Sequence, residues 1–292
     1  MTLKINSVER AGRVEDRGVN HRARLVIAPE KIAEHSPFLL MAEDWFAPPA
    51  GFPTHPHRGM ETVTFVLEGE LLHKDHTGGE GRLSAGDAQF MTAGGGVLHS
   101  EMPGPGGVRS LQLWLNLPAR LKRIQAGYRD VRLADAALLR GDGTEARLYA
   151  GRLGELAVPQ ATAWPMTLID ATLEPAATLA LTVLAGERAF ALVLEGEVLL
   201  GENARRVSAG EVAWAALPSE DTSLFVSAPD GRTRFLVYAS PVIDEPVAMG
   251  GPFVMNTGAE ILEAFADLRA GRLTAPAETS PHFDFDQKAK VL

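Results

Sequence analysis

Phe65-Val66-Leu67-Glu68-Gly69-Glu70-Leu71 is answered, well over a hundred residues on, by Leu192-Val193-Leu194-Glu195-Gly196-Glu197-Val198. A second turn signal follows each: Leu83-Ser84-Ala85-Gly86-Asp87-Ala88 in the first half and Val207-Ser208-Ala209-Gly210-Glu211-Val212 in the second. An apolar strand, a Glu-Gly turn, another strand and an Ala-Gly-acid turn form one pattern used twice. Short strands with glycine turns at this density read as a barrel or sandwich. A motif recurring once at such a distance implies two similar domains, not a solenoid of short repeats. The expected fold is all-β, with two jelly-roll-like β-barrels over residues 1–130 and 131–292 and a short C-terminal α-helix.

Further strands are legible by residue type and alternation. Glu61-Thr62-Val63-Thr64-Phe65-Val66-Leu67 is rich in β-branched and aromatic residues. Leu111-Gln112-Leu113-Trp114-Leu115-Asn116-Leu117 alternates around Gln112 and Asn116, and Thr233–Tyr238 reads as the late strand of the second half. The stretch from about Pro118 to Glu145 reads as the connector. Near the end, Thr257-Gly258-Ala259-Glu260 is a capping box with Thr257 as N-cap. Ile261, Leu262, Phe265 and Leu268 follow at helical spacing as its expected buried face, and Gly271 ends the helix. After Pro276 the periodicity fades, and an extended surface tail is expected.

Composition narrows the function classes. Hydrophobic residues make up 46% and charged residues 22% of 292, which is ordinary for a globular protein. With no cysteine, disulfides, thiolate metal sites and cysteine nucleophiles are excluded, and a cytoplasmic location is expected. The first ten residues lack the apolar core of a signal peptide, and no run of 18 apolar residues predicts a membrane span. A net charge of −9 argues against a direct, phosphate-driven nucleic-acid partner.

The chemistry sits in two short motifs. Thr54-His55-Pro56-His57-Arg58-Gly59-Met60-Glu61 carries two histidines two apart, and His99-Ser100-Glu101 carries a histidine and a glutamate two apart. Side chains two apart on a strand share a face. If the two strands are neighbours with these faces inward, three imidazoles and a carboxylate converge, a set that suits Fe, Mn, Ni, Co or Zn. Glu61 reads either as a residue that orients a histidine or a water, or as a solvated strand glutamate. His73 and His76 flank a charged turn and read as solvent-exposed; His21, His35 and His282 have no partner pattern. No histidine lies between Glu145 and Met255. Aligning the two Glu-Gly turns sets Thr182 and Leu184 opposite His55 and His57, so the second barrel is expected to be structural and without metal. Phe52, Met60, Phe65, Phe90, Met91, Leu98 and Trp114 lie near the ligands in sequence and read mostly as barrel core, with some lining an aromatic-ligand pocket.

The run His55–Thr64, then Gly86–Gly94, then His99-Ser100-Glu101-Met102-Pro103 resembles the pirin family of the cupin superfamily. Leu111–Leu117 is similar to that family's next strand, and Gly251-Pro252-Phe253-Val254-Met255-Asn256-Thr257 to its C-terminal signature. The resemblance spans nearly the whole chain. It departs at Gly95, where arginine or another larger residue is expected. The resemblance implies a bicupin fold. It also implies Fe(II) or another divalent transition metal (Mn, Ni, Co, Cu or Zn) held by His55, His57, His99 and Glu101, with two positions left to water or substrate.

The activity implied by the resemblance is that of a quercetin 2,3-dioxygenase. A flavonol binds through its enol oxygen, and O2 opens the central ring with release of carbon monoxide. Glu101, a ligand, doubles as the base that takes the flavonol hydroxyl proton. The alternative is a non-enzymatic iron-binding redox sensor or transcription co-regulator acting through a protein partner. A third reading is another cupin chemistry such as isomerisation, since fold does not fix function.

Overall fold

A computed structural model describes residues 2–274. The chain forms two compact units. The first to be considered comprises residues 13–133, 161–164 and the C-terminal segment from 243; the other comprises residues 1–12, 134–160 and 165–242. This corrects the division expected at 130/131, because the chain ends are exchanged. The N-terminal strand Ile5–Arg10 pairs with Glu211–Ala215, while the C-terminal strand Phe253–Met255 bridges to Arg58.

In the first unit a nine-stranded antiparallel sheet is built on two very long strands, Met60–Asp75 and Val97–Asn116. Their pairing runs from Met60↔Asn116 to Asp75↔His99, with register irregularities at Val66/Glu68 and Gly69/Leu71. Such irregularities bend a strand and increase its twist, which curls the sheet toward a barrel. Gly69 sits at the bend with φ +74°, and a Cβ there would lie 2.1 Å from the Gly107 carbonyl oxygen, so the position admits only glycine.

The other unit pairs an eight-stranded sheet with a four-stranded one. Ala146, Leu148, Ile169, Ala171, Val193, Val198, Leu224 and Phe235 are among the side chains that fill its interior. Each large one contributes about 2 kcal/mol on burial. None carries a metal-donor atom.

The internal repeat holds at the level of individual hydrogen bonds. Gly86 N–H donates to the Val66 carbonyl at 2.8 Å, and Gly210 N–H to the Val193 carbonyl at 2.9 Å. Each turn's acid closes it in the same way: Ser84 N–H donates to Asp87 and Ser208 N–H to Glu211. Gly69 and Gly196 share a positive φ.

The expected connector is more structured than its sequence suggests. It contains a 3-10 turn, Ala119–Leu121, and strands Gly127–Val131 and Ala137–Gly141. The latter two add to sheet edges through Ala88–Thr92 and Thr144–Leu153.

The helix spans Gly258–Arg269, with Glu260 N–H donating to Thr257 Oγ1 at 3.3 Å. Glu260 in turn accepts from Asn256 N–H and Thr257 Oγ1, and Gly271 follows at φ +68°. Ile261 and Ala264 are buried and Phe265 packs edge-on against Phe253, but Leu262 is 71% exposed. The expected face was therefore one residue too wide: Leu262 lies beyond the edge of the buried stripe. Thr257→Ala is expected to cost about 1 kcal/mol through the lost cap, read as a shift in urea midpoint at constant slope. No shift would mean that Thr257 does not cap the helix. The expected tail after Pro276 lies outside the described residues. No helix among the described residues is long and apolar enough to cross a membrane.

Candidate metal centre

Strand pairing brings the two motifs together. Phe52–His57 runs antiparallel to the start of Val97–Asn116, with His55 opposite His99 and His57 opposite Val97. Cross-strand neighbours on one face are within side-chain reach. The ring centroids lie 4.3 Å apart for His55 and His99, 5.0 Å for His55 and His57, and 5.1 Å for His57 and His99. One ring nitrogen from each falls within 4.8 Å of the others.

The ring orientations have a physical cause. His57 Nδ1 donates to the Pro252 carbonyl at 3.2 Å and His55 Nδ1 to the Pro53 carbonyl at 2.9 Å. A carbonyl only accepts, so both rings carry their proton on Nδ1 and present an Nε2 lone pair. His57 Nε2 and both nitrogens of His99 are buried without a hydrogen-bond partner among the described residues. Burial holds the imidazoles neutral. The His57 pKa is lowered to about 3, and those of His99 and His55 are also lowered, in each case mainly by desolvation. Three converging neutral imidazoles with free lone pairs are what a divalent metal requires.

Around them the strands are clamped to the C-terminal segment. Arg58 is buried; it donates to the Gly95 and Leu273 carbonyls and pairs with Asp267 of the helix at 2.9 Å. Lys122, also buried, gives its three protons to the carbonyls of Gly59 and Val254 and to Asn116 Oδ1. Gly59 is obligatory: at φ +80° its Cβ would lie 2.0 Å from the Val254 carbonyl oxygen. Gly95 lies in the turn before His99, with its carbonyl taken by Arg58 Nε.

Glu101 is buried on the same face of its strand as His99. Gln112 Nε2 lies 2.7 and 2.9 Å from its two oxygens, and Thr64 Oγ1 donates at 3.3 Å. Burial pushes its pKa up to about 7 against these bonds. At this spacing it does not join the three-histidine group. Oε1 accepts from both Thr64 and Gln112 and Oε2 from Gln112 alone, so Oε2 keeps a free lone pair.

Glu61 corrects both readings made from sequence. It is 0% exposed and accepts from Thr92 Oγ1 and from the backbone N–H groups of Ala163 and Trp164 at 2.7 and 3.1 Å. These partners include no histidine; the bonds anchor segment 161–164 to the sheet. Burial raises its pKa to about 7 from 4.5. The native state therefore keeps a proton that the unfolded chain gives up near 4.5. That contribution to stability is full below 4.5 and is lost as pH rises to about 7. Glu61→Gln cannot ionise, so the stability gap between wild type and this variant is expected to narrow between about pH 5 and pH 8. Urea unfolding at both values tests this, and a constant gap would contradict it.

His73 is the other correction. Expected at the surface, it is 1% exposed, with its ring 5.2 Å from His99 and 4.9 Å from Tyr128. It lies opposite Glu101 in the strand pairing. The signal was present in sequence: His73 shares parity with the core residue Leu71, whereas Lys74 points outward. His76 is exposed as expected. Of the apolar residues flagged in sequence, Met60, Phe65, Phe90 and Met91 are core. Phe52 and Trp114 flank the site instead, with ring centroids 6.1 Å from His55 and 5.1 Å from His57.

Comparison with known proteins shows the family. The Pirin family model matches residues 23–115, and that of the Pirin C-terminal cupin domain matches residues 168–274. Pirin-like protein 2 of Arabidopsis thaliana is 39% identical over 240 residues, covering 81% of this chain and 75% of that protein. A crystal structure named quercetin 2,3-dioxygenase, from Acinetobacter baumannii, superposes with a TM-score of 0.83 at 31% identity, covering 94% of this chain and 99% of the other. An Escherichia coli pirin solved in complex with nickel(II) shares the fold, with a TM-score of 0.63 at 24% identity over 83% of this chain and 99% of its own. The chain belongs to the pirin family and has its bicupin fold.

Proposed function

We propose that the protein is a metal-dependent dioxygenase of the quercetin 2,3-dioxygenase type. The observation that carries this reading is the convergence of three imidazoles within 4.8 Å, with the buried carboxylate of Glu101 on the same strand face as His99. The relative from Acinetobacter baumannii, named for that activity, supports the flavonol as substrate.

His55, His57 and His99 would hold the ion, with Glu101 as a fourth ligand. Fe(II) is the first candidate, and Mn, Ni, Co, Cu or Zn suit the same donors. A divalent ion there supplies Lewis acidity toward a substrate oxygen and, when redox-active, a route for electrons to O2. The remaining work falls to the chain. Trp114 and Phe52 flank the histidines and offer flat apolar surfaces for an aromatic ring. Glu101 takes the proton of the flavonol 3-hydroxyl on a carboxylate oxygen. With one carboxylate oxygen on the ion, the other would be left to accept that proton. Gln112 and Thr64 hold the carboxylate in place during the transfer. Flavonol and O2 then yield the ring-opened ester and carbon monoxide.

The test is aerobic incubation of iron-loaded protein with quercetin, following flavonol loss and carbon monoxide together. Stoichiometric carbon monoxide is expected. No turnover with any of Fe, Mn, Ni, Co or Cu would overturn the dioxygenase reading and favour a metal-dependent protein–protein role.

A further inference from the structure

His73 is the one buried imidazole beside the cluster that the proposed metal reading leaves unused. Neither ring nitrogen has a hydrogen-bond partner among the described residues, although a neutral imidazole carries one donor and one acceptor. Buried polar groups in folded proteins are nearly always paired. A metal accounts for His57 Nε2 and for one of the two unpaired nitrogens of His99. His73 lies outside that three-residue group, so the same account does not serve it. Its strand neighbour on the same face, Leu71, is apolar core, and an apolar residue would fill position 73 without unpaired atoms. The ring nonetheless shares the interior of the site: it packs against His99 and Tyr128, and its strand partner is Glu101.

We propose that His73 hydrogen-bonds the exogenous ligand that shares a metal with His55, His57 and His99, and so selects for small anionic oxygen or nitrogen donors. This rests on the reading that the three histidines hold a metal. His73 is then a ligand-binding residue and not a metal ligand.

The probe is azide, titrated into the full-length protein loaded with Co(II) and followed by the visible bands of the metal. Cobalt stoichiometry is measured on the same samples of wild type, His73→Phe and His73→Gln. The expected result is unchanged cobalt in all three, azide binding weakened at least tenfold in His73→Phe, and partial recovery in His73→Gln, whose amide again donates and accepts. Equal azide affinity in wild type and His73→Phe overturns the proposal, as does loss of cobalt from His73→Phe. Cobalt-loaded wild type that does not bind azide overturns it too. Wild type that takes up no cobalt sinks the metal reading itself, a failure distinct from the others. Should the variants fail to fold, azide added to zinc-loaded wild type is expected to move the His73 ring nitrogen resonances, and unmoved resonances overturn the proposal.

Discussion

Replacing His99 with alanine is expected to weaken metal binding more than 100-fold. Changing a residue that merely orients a ligand typically costs about 10- to 100-fold in metal affinity, and removing a ligand should cost more. His99 lies within 5.1 Å, ring to ring, of both His55 and His57, so its loss leaves two imidazoles of the three. His57→Ala should behave alike, because its Nε2 is aimed by the Pro252 carbonyl. The metal-free fold should survive the loss of His99, which has no hydrogen-bond partner among the described residues; His57→Ala also frees the Pro252 carbonyl and should cost about 1 kcal/mol more. Elemental analysis after dialysis, with circular dichroism alongside, reads both quantities. Full metal retained in the double variant would refute the ligand assignment.

Glu101→Gln is expected to lower flavonol turnover by about 100- to 10,000-fold, the usual range for loss of a general base. The amide keeps the size of the carboxylate and can still bond Gln112 and Thr64, so the strand should stay in place. What it loses is the carboxylate's ability to accept a proton. Carbon monoxide release per bound metal separates the two roles proposed for Glu101. A fall in rate at constant metal content marks the base; a parallel fall in metal content marks the ligand. Unchanged rate and unchanged metal would contradict both.

Much of this was legible in sequence because the repeat and the histidine pairs obey the same period of two. Gly69 and Gly196, with their acid-closed second turns, announce two barrels. His55, His57 and His99 announce a shared face. The exchange of the chain ends was not legible, because the pairing of Ile5–Arg10 with Glu211–Ala215 is a long-range choice with no local pattern. Glu61 was misread for a related reason. Its partners, the N–H groups of Ala163 and Trp164, lie about a hundred residues away and are backbone atoms, which leave no mark in sequence. His73 was misread because its loop-like, charged neighbours outweighed the alternation that places it inward.

The most direct test of the central claim is anomalous diffraction at the edge of the bound metal, on crystals of protein purified with its metal. A single strong peak between His55, His57 and His99 is the result this account predicts. A strong peak within the barrel formed by residues 134–160 and 165–242, or none at the three histidines of a metal-containing sample, would contradict it.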